Sequence, residues 1–337
     1  MRRQAAVRVR APARRDARPR APRAGAAPRP RLPARPHPGL SVTAGGTVAP
    51  GFEPVRDAFR ALGDDAAFAA YVDGELVADL WSGSVGRDSL VHLFSVSKTV
   101  AALCALMVAE PDDPAPLPRG ATVRQVLAHQ AGLLALREPQ PLEALLDWER
   151  TIALLEAEPL WWEPGAAHGE HALFYGHLAG AIVRERDGRP LGRFVREELR
   201  TDIHCGLRPW EQGRVVPMTD PGGLWPEGAL TSDVKRLAMD NPPALLHLDV
   251  VNSAAWRAAE IPGVNMHGTA RAVAALFARL PARMAEPQMT APDVLLERES
   301  TWGLGVGIEP GVGYGMGGVG GSLAWVDPGR GVAYAYL

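Results

Sequence analysis

Ser95-Val96-Ser97-Lys98 places a serine and a lysine three residues apart, between the apolar stretch Val91–Phe94 and an uncharged run that extends to Ala109. If a helix begins at Ser95, three residues cover nearly one turn, so the hydroxyl and the amine face the same way. A lysine buried among apolar groups can lose its proton and act as a base, whereas a guanidinium stays charged. The chain contains 34 arginines and two lysines, Lys98 and Lys235. This segment therefore predicts an activated serine.

Four further segments accompany this one in a fixed order along the chain. They are Val48–Glu53, Thr122–Leu133, Trp162–Gly165 and Gly317–Ser322. Together the five segments resemble the serine beta-lactamase and penicillin-binding-protein superfamily, in particular its class C-like branch, which holds many esterases. The resemblance runs from about residue 48 to residue 337. It implies an α+β, beta-lactamase/transpeptidase-like fold, in which strands from both termini form an antiparallel sheet that is flanked by helices and contains an inserted helical region.

Composition divides the chain into a tail and one folded unit. The first 40 residues contain 12 Arg and 8 Pro but one acidic residue, Asp16, so we expect residues 1–45 to be a disordered Arg/Pro/Ala-rich tail. Residues 46–337 are expected to form a beta-lactamase-related serine hydrolase domain. Relatives continue beyond the position of Leu337 into a helix that covers the sheet, which suggests a truncation here. Its absence predicts that Leu323, Trp325 and Tyr334 are partly exposed.

The same composition bears on partners and location. An arginine-rich arm can bind phosphates, but no aromatic residue interleaves these arginines, so we expect a solvated tail and no nucleic-acid partner. No apolar run approaches the roughly 18 residues of a membrane span. No secretory apolar segment is apparent either, which favours a cytoplasmic protein. Nothing in the spacing of Cys104 and Cys205 recommends a disulfide.

Hydrophobic periodicity and turn residues predict the individual elements. We expect helices at Phe52–Leu62, Pro141–Leu155, His171–Arg186, Leu191–Leu199 and His267–Leu280. We expect strands at Phe68–Val72, Glu75–Trp81, Trp302–Ile308, Ser322–Val326 and Val332–Tyr336.

The resemblance also implies the roles of particular residues. Ser95 is expected to attack a small ester and form an acyl-enzyme, with Lys98 as the base and the amides of Ser95 and Val319 as the oxyanion hole. Relatives carry Lys-Thr-Gly or a His-Gly-Gly-like run where this chain has Met316, Gly317 and Gly318, so these residues are expected to contact the substrate. Because Met316 has no donor for a substrate carboxylate, the motif favours neutral esters.

Glu170 departs from the family pattern. It lies five residues after Gly165, where the class C-like branch has a tyrosine that helps to activate the serine. A carboxylate close to Lys98 is expected to raise the pKa of the amine and weaken it as a base. Glu170 then acts as a base through a water, or the site is inactive. The alternative function is therefore a catalytically degenerate binding or scaffold protein, and Tyr175 is expected in the core.

The remaining candidates carry weaker signals. His129 is interpreted as structural, and Lys235 as part of a solvated helix face. The run His168-Gly169-Glu170-His171 lacks the His-Glu-x-x-His spacing, so no metal is expected. Gly315-x-Gly317-x-x-Gly320 precedes a hairpin rather than a helix, so no dinucleotide or other cofactor is expected. A small-molecule ester is the expected partner.

Overall fold

The computed structural model describes residues 44–220 and 225–337, which form twelve strands and a larger set of helices. The strands are β1 Gly45–Val48, β2 Ala66–Val72, β3 Glu75–Ser82, β4 Val91–His92, β5 Ile203–His204, β6 His267–Gly268, β7 Met289–Asp293, β8 Arg298–Trp302, β9 Gly307–Glu309, β10 Gly313–Gly317, β11 Leu323–Asp327 and β12 Val332–Tyr336. The predicted tail lies outside the described residues except for its last two positions, and β1 begins at the second of these.

Eleven α-helices lie within the described residues. They are α1 Glu53–Leu62, α2 Val96–Val108, α3 Val123–Leu127, α4 Leu142–Leu146, α5 Trp148–Ala157, α6 Tyr175–Asp187, α7 Leu191–Phe194, α8 Asp233–Met239, α9 Leu248–Val251, α10 Ala254–Ala258 and α11 Ala270–Phe277. A π-helical turn at Val195–Leu199 continues α7, and short 3₁₀ turns lie at Gln212–Arg214 and Ala282–Ala285. None of the described helices is long and apolar enough to cross a membrane.

Strands from both ends of the described chain form one antiparallel sheet. Nine strands follow the order β1-β3-β2-β12-β11-β10-β9-β8-β7, and β4, β6 and β5 form a separate three-stranded sheet. The C-terminal strand β12 pairs with β2, with Tyr336 opposite Phe68 and Val332 opposite Val72. The helices α2 to α10 lie between β3 and the last six strands in the sequence. The predicted α+β fold class is confirmed.

Small side chains on one face of the sheet allow a helix to pack closely against it. Ala69, Ala333 and Ala335 are buried on neighbouring strands. Helix α11 packs on β2 and β12 over this face and buries Phe277 there. A larger residue at an alanine position would push the helix away from the sheet.

Aromatic side chains occupy the opposite face. Phe59 of α1 packs between Phe68 and Tyr336, with ring centroids 6.4 Å apart in each pair. Beyond α1, the side chains of Leu323, Trp325 and Tyr334 are half-buried, as predicted.

Helix α2 is buried along almost its whole length because it packs against both α6 and β10. An apolar helix is suited to such a position, since it has no face that prefers water. Thr99 is fully buried and donates a hydrogen bond from Oγ1 to the Gly305 carbonyl at 2.8 Å. Cys104 on α2 and Cys205 are both buried free thiols.

Several predicted elements differ from the observed ones. The expected strand at Trp302–Ile308 is wrong, because the chain reverses there: the Gly303 amide donates to the Val306 carbonyl at 2.9 Å, and Gly305 has a φ of 82°. The expected helix at Pro141–Leu155 is interrupted at Asp147, whose side chain caps the second half.

Two predicted helices begin later than expected. The helix predicted from His171 begins at Tyr175. The helix predicted from His267 begins at Ala270, because residues 267–268 form β6 and Thr269 caps α11.

The close packing of α11 on the sheet gives a testable stability difference. Ala335→Leu adds volume to a filled space and is expected to lower the free energy of unfolding by about 1–3 kcal/mol. Tyr334→Phe changes the neighbouring, half-buried residue on the other face and is expected to stay within about 0.5 kcal/mol of the parent. Urea unfolding measures both values, and equal effects would contradict this packing.

Candidate active site

Ser95 lies immediately before α2 and directly after a strained residue. Phe94 has a φ of 43°, in the left-handed region that is unfavourable for a bulky side chain. The amides of Val96 and Ser97 donate to the carbonyls of Leu93 and Phe94, which closes a tight turn into the helix. Strained backbone at such a position persists only when the surrounding structure enforces it.

Strand β10 and the turn after it enforce the strain at Phe94. The Phe94 ring lies so close to Gly320 that a Cβ there would be 2.3 Å from the ring. A Cβ on Gly318 would lie 2.9 Å from the Phe94 Cβ and 3.0 Å from the Leu93 carbonyl oxygen. Ser322 also donates a hydrogen bond from Oγ to that carbonyl at 2.7 Å. These contacts fix Ser95 beside the glycine-rich turn.

Lys98 and Glu170 both approach the Ser95 hydroxyl. Lys98 Nζ donates a hydrogen bond to Ser95 Oγ at 2.6 Å. Glu170 Oε1 lies 3.1 Å from Lys98 Nζ and 3.5 Å from Ser95 Oγ. The Lys98 side chain is fully buried, whereas that of Glu170 is 14% exposed. The three residues predicted for catalysis are therefore brought together.

The expected raised pKa of Lys98 is wrong. Burial removes the amine from water and lowers its pKa, and this effect exceeds the opposing one of the Glu170 carboxylate and its hydrogen bond, so the pKa of Lys98 is lowered. The apolar surroundings, which the carboxylate only partly offsets, favour the neutral amine. A larger fraction of Lys98 is therefore neutral, and so free to accept a proton, than the sequence predicted.

Three successive backbone amides hold Glu170 in place. Gly169 donates to the His129 carbonyl at 3.2 Å, Glu170 donates to Asp293 Oδ1 at 3.1 Å, and His171 donates to His129 Nδ1 at 3.0 Å. His129 and Asp293 are buried. The structural interpretation of His129 is confirmed, whereas sequence reasoning missed Asp293, which lies more than 120 residues from Glu170 in the chain.

The imidazoles behind Glu170 are held neutral. Burial lowers the pKa of His129 well below its usual range and that of His171 to about 4. Tyr175 is fully buried, donates from its hydroxyl to the Leu127 carbonyl at 3.0 Å, and has a pKa that burial raises. The prediction that Tyr175 belongs to the core is confirmed, because its hydroxyl is bound to backbone behind the site.

Ser95 and Glu170 open into an apolar cavity of ≈310 Å³. Gly317, Gly318 and Val319 form one side of it. The rest of the wall is mainly apolar and includes Leu173, Met239, Leu246, Trp256, Val264 and Leu296. Ligand sites in proteins commonly combine such apolar walls with a few polar groups.

The amides of Ser95 and Val319 flank this cavity. Within residues 44–220 and 225–337, neither amide donates a hydrogen bond to another group. The Gly318 amide, by contrast, donates to the Ser322 carbonyl at 2.7 Å and closes the turn. Two amides that lack an acceptor among the described residues and lie beside a serine hydroxyl are available to a ligand oxygen.

The beta-lactamase family model matches residues 55–337 of the chain. The chain belongs to the beta-lactamase family. The resemblance predicted from the motifs is thereby confirmed.

Several known proteins resemble the chain along most of its length. Esterase/beta-lactamase LipL of Mycobacterium tuberculosis is 30% identical in an alignment that covers 80% of this chain and 76% of LipL. The crystal structure of a family VIII carboxylesterase has a TM-score of 0.75 at 27% identity, covering 88% and 93% of the two chains. A penicillin-binding protein homologue from Caulobacter crescentus has a TM-score of 0.73 at 30% identity, with the same coverages.

Met316 does not line the cavity in front of Ser95 in this beta-lactamase-family protein. It is 4% exposed and borders an adjoining cleft of ≈860 Å³ instead. The cleft and the cavity share Glu170, Leu296 and Gly317. Gly317 and Gly318 line the cavity, whereas Met316 borders the cleft alone, and the contact of these three residues with a substrate stays a prediction.

Lys235 lines the cavity, so its interpretation as part of a solvated helix face is wrong. It lies on α8, and its side chain is 20% exposed. Its Nζ donates to Thr231 Oγ1 at 3.0 Å and lies 3.2 Å from Glu297 Oε2. The sequence contained one signal for this position: Lys235 is one of two lysines in the chain, and the other, Lys98, lies three residues after Ser95.

Two neighbouring glycines, one in β10 and one in the turn after it, provide a matched test of the close packing of Phe94 against this turn. Gly318→Ala places a Cβ 2.2 Å from Ser322 Oγ and close to Phe94, so we expect a loss of about 1–3 kcal/mol in the free energy of unfolding. Gly317→Ala meets no atom closer than 3.9 Å and is expected to stay within about 0.5 kcal/mol. If urea unfolding shows similar losses of unfolding free energy in the two variants, this packing of Phe94 is contradicted.

Proposed function

We propose that this protein hydrolyses small esters through an acyl-enzyme on Ser95, with Lys98 as the base. The observation that carries the proposal is the 2.6 Å contact between Lys98 Nζ and Ser95 Oγ in a site where burial lowers the pKa of the lysine. Family membership and the esterase relatives support a serine hydrolase of this kind.

The first step transfers the acyl group to the enzyme. Neutral Lys98 takes the proton of the Ser95 hydroxyl as Oγ attacks the ester carbonyl carbon. The amides of Ser95 and Val319 donate to the oxygen that becomes negative. Lys98 then returns the proton to the departing alkoxide, so that an alcohol leaves and the acyl group remains on Ser95.

The second step releases the acid. A water attacks the acyl carbon, gives a proton to Lys98 or Glu170, and Ser95 Oγ recovers a proton as its bond to the acyl group breaks. Glu170 is suited to this step because it borders the cavity and contacts Lys98 at 3.1 Å. It also compensates the charge that Lys98 acquires in the first step.

Removal of either catalytic partner tests the proposal. Ser95→Ala is expected to abolish both hydrolysis of 4-nitrophenyl butanoate and labelling by a fluorophosphonate. Lys98→Met is expected to lower kcat by about 10²- to 10⁴-fold, the usual contribution of a general base. Ser97→Ala is the matched control and is expected to keep both activities, because this neighbouring hydroxyl accepts a hydrogen bond from the Met266 amide at 3.2 Å and does not line the cavity.

The outcome also decides between the two functions. If the folded parent protein neither hydrolyses the ester nor reacts with the probe, the enzyme proposal fails and a degenerate binding protein remains. Labelling that survives in Ser95→Ala would instead assign the reactive group to another residue.

The pH dependence tests the interaction between Lys98 and Glu170. Because the neutral amine is the active base, kcat/KM rises as pH increases through the pKa of Lys98. Glu170 opposes the lowering of that pKa, so Glu170→Gln is expected to move the acidic limb of the pH profile to lower pH. Glu163→Gln, at an exposed position of the same segment, is the control and is expected to leave the limb in place. A shift to higher pH in Glu170→Gln would contradict Lys98 as the base.

A further inference from the structure

Both lysines of the chain border one site, although the chain has 34 arginines. Lys98 contacts the Ser95 hydroxyl, and Lys235 lies in the wall of the cavity onto which Ser95 opens. Among the described residues that line this cavity, Lys235 is the one cation. Its ammonium is a compact charge with three donors on a flexible stem, so it can follow a ligand group that enters the cavity.

The partners of Lys235 can be replaced by a ligand. Its carboxylate partner, Glu297, has a side chain that is 47% exposed, and ion pairs this open to solvent contribute little to stability. Glu297 can therefore turn into solvent when another carboxylate approaches Lys235. The existing ion pair marks an anion position beside the cavity rather than blocking it.

The backbone places Glu297 beside the cavity against local preference. Glu297 has a φ of 55°, which glycine or asparagine adopts at lower cost. It follows Leu295 and Leu296, which line the cavity and whose amides donate to Asp293 Oδ1 at 2.9 Å. The Glu297 amide donates to the Asp293 carbonyl at 3.0 Å. The turn thus holds a carboxylate where it meets Lys235.

The two spaces around Ser95 suit different parts of an ester. The cavity and the wider adjoining cleft share Glu170, Leu296 and Gly317, so an ester at Ser95 can extend into both. An acyl-enzyme retains the acyl group while the alcohol departs, and the wider cleft gives the alcohol its route. A cavity of ≈310 Å³ lies at the lower end of the volumes of small-molecule sites in proteins, so it suits an acyl group of medium length.

We propose that Lys235 selects esters whose acyl chain is apolar along its length and ends in a carboxylate, that is, monoesters of medium-length dicarboxylic acids. This inference rests on the proposed function. The terminal carboxylate takes the place of Glu297 on Lys235 in a charge-assisted hydrogen bond, and the methylene groups contact the apolar wall. Met316 alone predicted a neutral ester, but Lys235 supplies a cation from the helical side of the cavity instead of from β10.

Matched pairs of substrates test this selection. The 4-nitrophenyl monoesters of adipic, pimelic and suberic acids are compared with the uncharged 4-nitrophenyl hexanoate, heptanoate and octanoate. At the best chain length, the ratio of kcat/KM for the anionic over the neutral ester is expected to fall at least tenfold in Lys235→Gln. The same ratio is expected to rise severalfold in Glu297→Gln, because the competing carboxylate is gone. Arg236→Gln removes an exposed charge from the neighbouring position and is expected to keep the parent ratio.

The inference is overturned if the ratio of kcat/KM for the anionic over the neutral ester is the same in Lys235→Gln and in the parent at every chain length. Calorimetric measurement of the binding of methyl hydrogen adipate and methyl hexanoate to Ser95→Ala tests the inference separately from the proposed function. If Ser95→Ala binds the anion more tightly than the neutral ester, and adding Lys235→Gln abolishes this difference, the inference is supported even if the parent protein hydrolyses no ester. Hydrolysis by the parent without any such preference supports the proposed function alone.

Discussion

The candidate active site around Ser95 depends on a lysine amine that is buried away from water. Lys98 is among the largest fully buried side chains of the protein, and its amine contacts both Ser95 and Glu170. A buried cation is costly, so an isolated lysine here would favour its neutral form strongly. The Glu170 carboxylate offsets this effect in part, and the pKa of Lys98 remains below its usual range. The packing of α2 between α6 and β10 maintains this condition.

Local sequence was sufficient to predict that Ser95, Lys98 and Glu170 lie close together. The spacing of Ser95 and Lys98 predicted a contact because a helical turn fixes the geometry within four residues. Glu170 was located by counting from Gly165, and the structure places it at 3.1 Å from Lys98. The direction of the Lys98 pKa was not predictable in this way, because it depends on how two opposing effects balance in the folded protein.

Features that several distant segments create together were missed. Lys235 looked like a surface residue because the wall it joins is assembled from widely separated segments of the chain. Asp293 gave no local signal, since its partners at Glu170, Ser300 and Trp302 are set by strand pairing and loop position. The expected strand at Trp302–Ile308 failed because β propensity did not reveal the reversal at Gly303–Val306.

Asp293 links the backbone segment that carries Glu170 to the turn that carries Glu297. Its carboxylate accepts hydrogen bonds from the amides of Glu170, Leu295 and Leu296, and from the side chains of Ser300 and Trp302. The backbone that carries Glu170 therefore cannot shift without disturbing the turn that carries Glu297. Substitutions near Glu170 and near Glu297 are therefore expected to affect one another through Asp293, which itself lines neither the cavity nor the cleft.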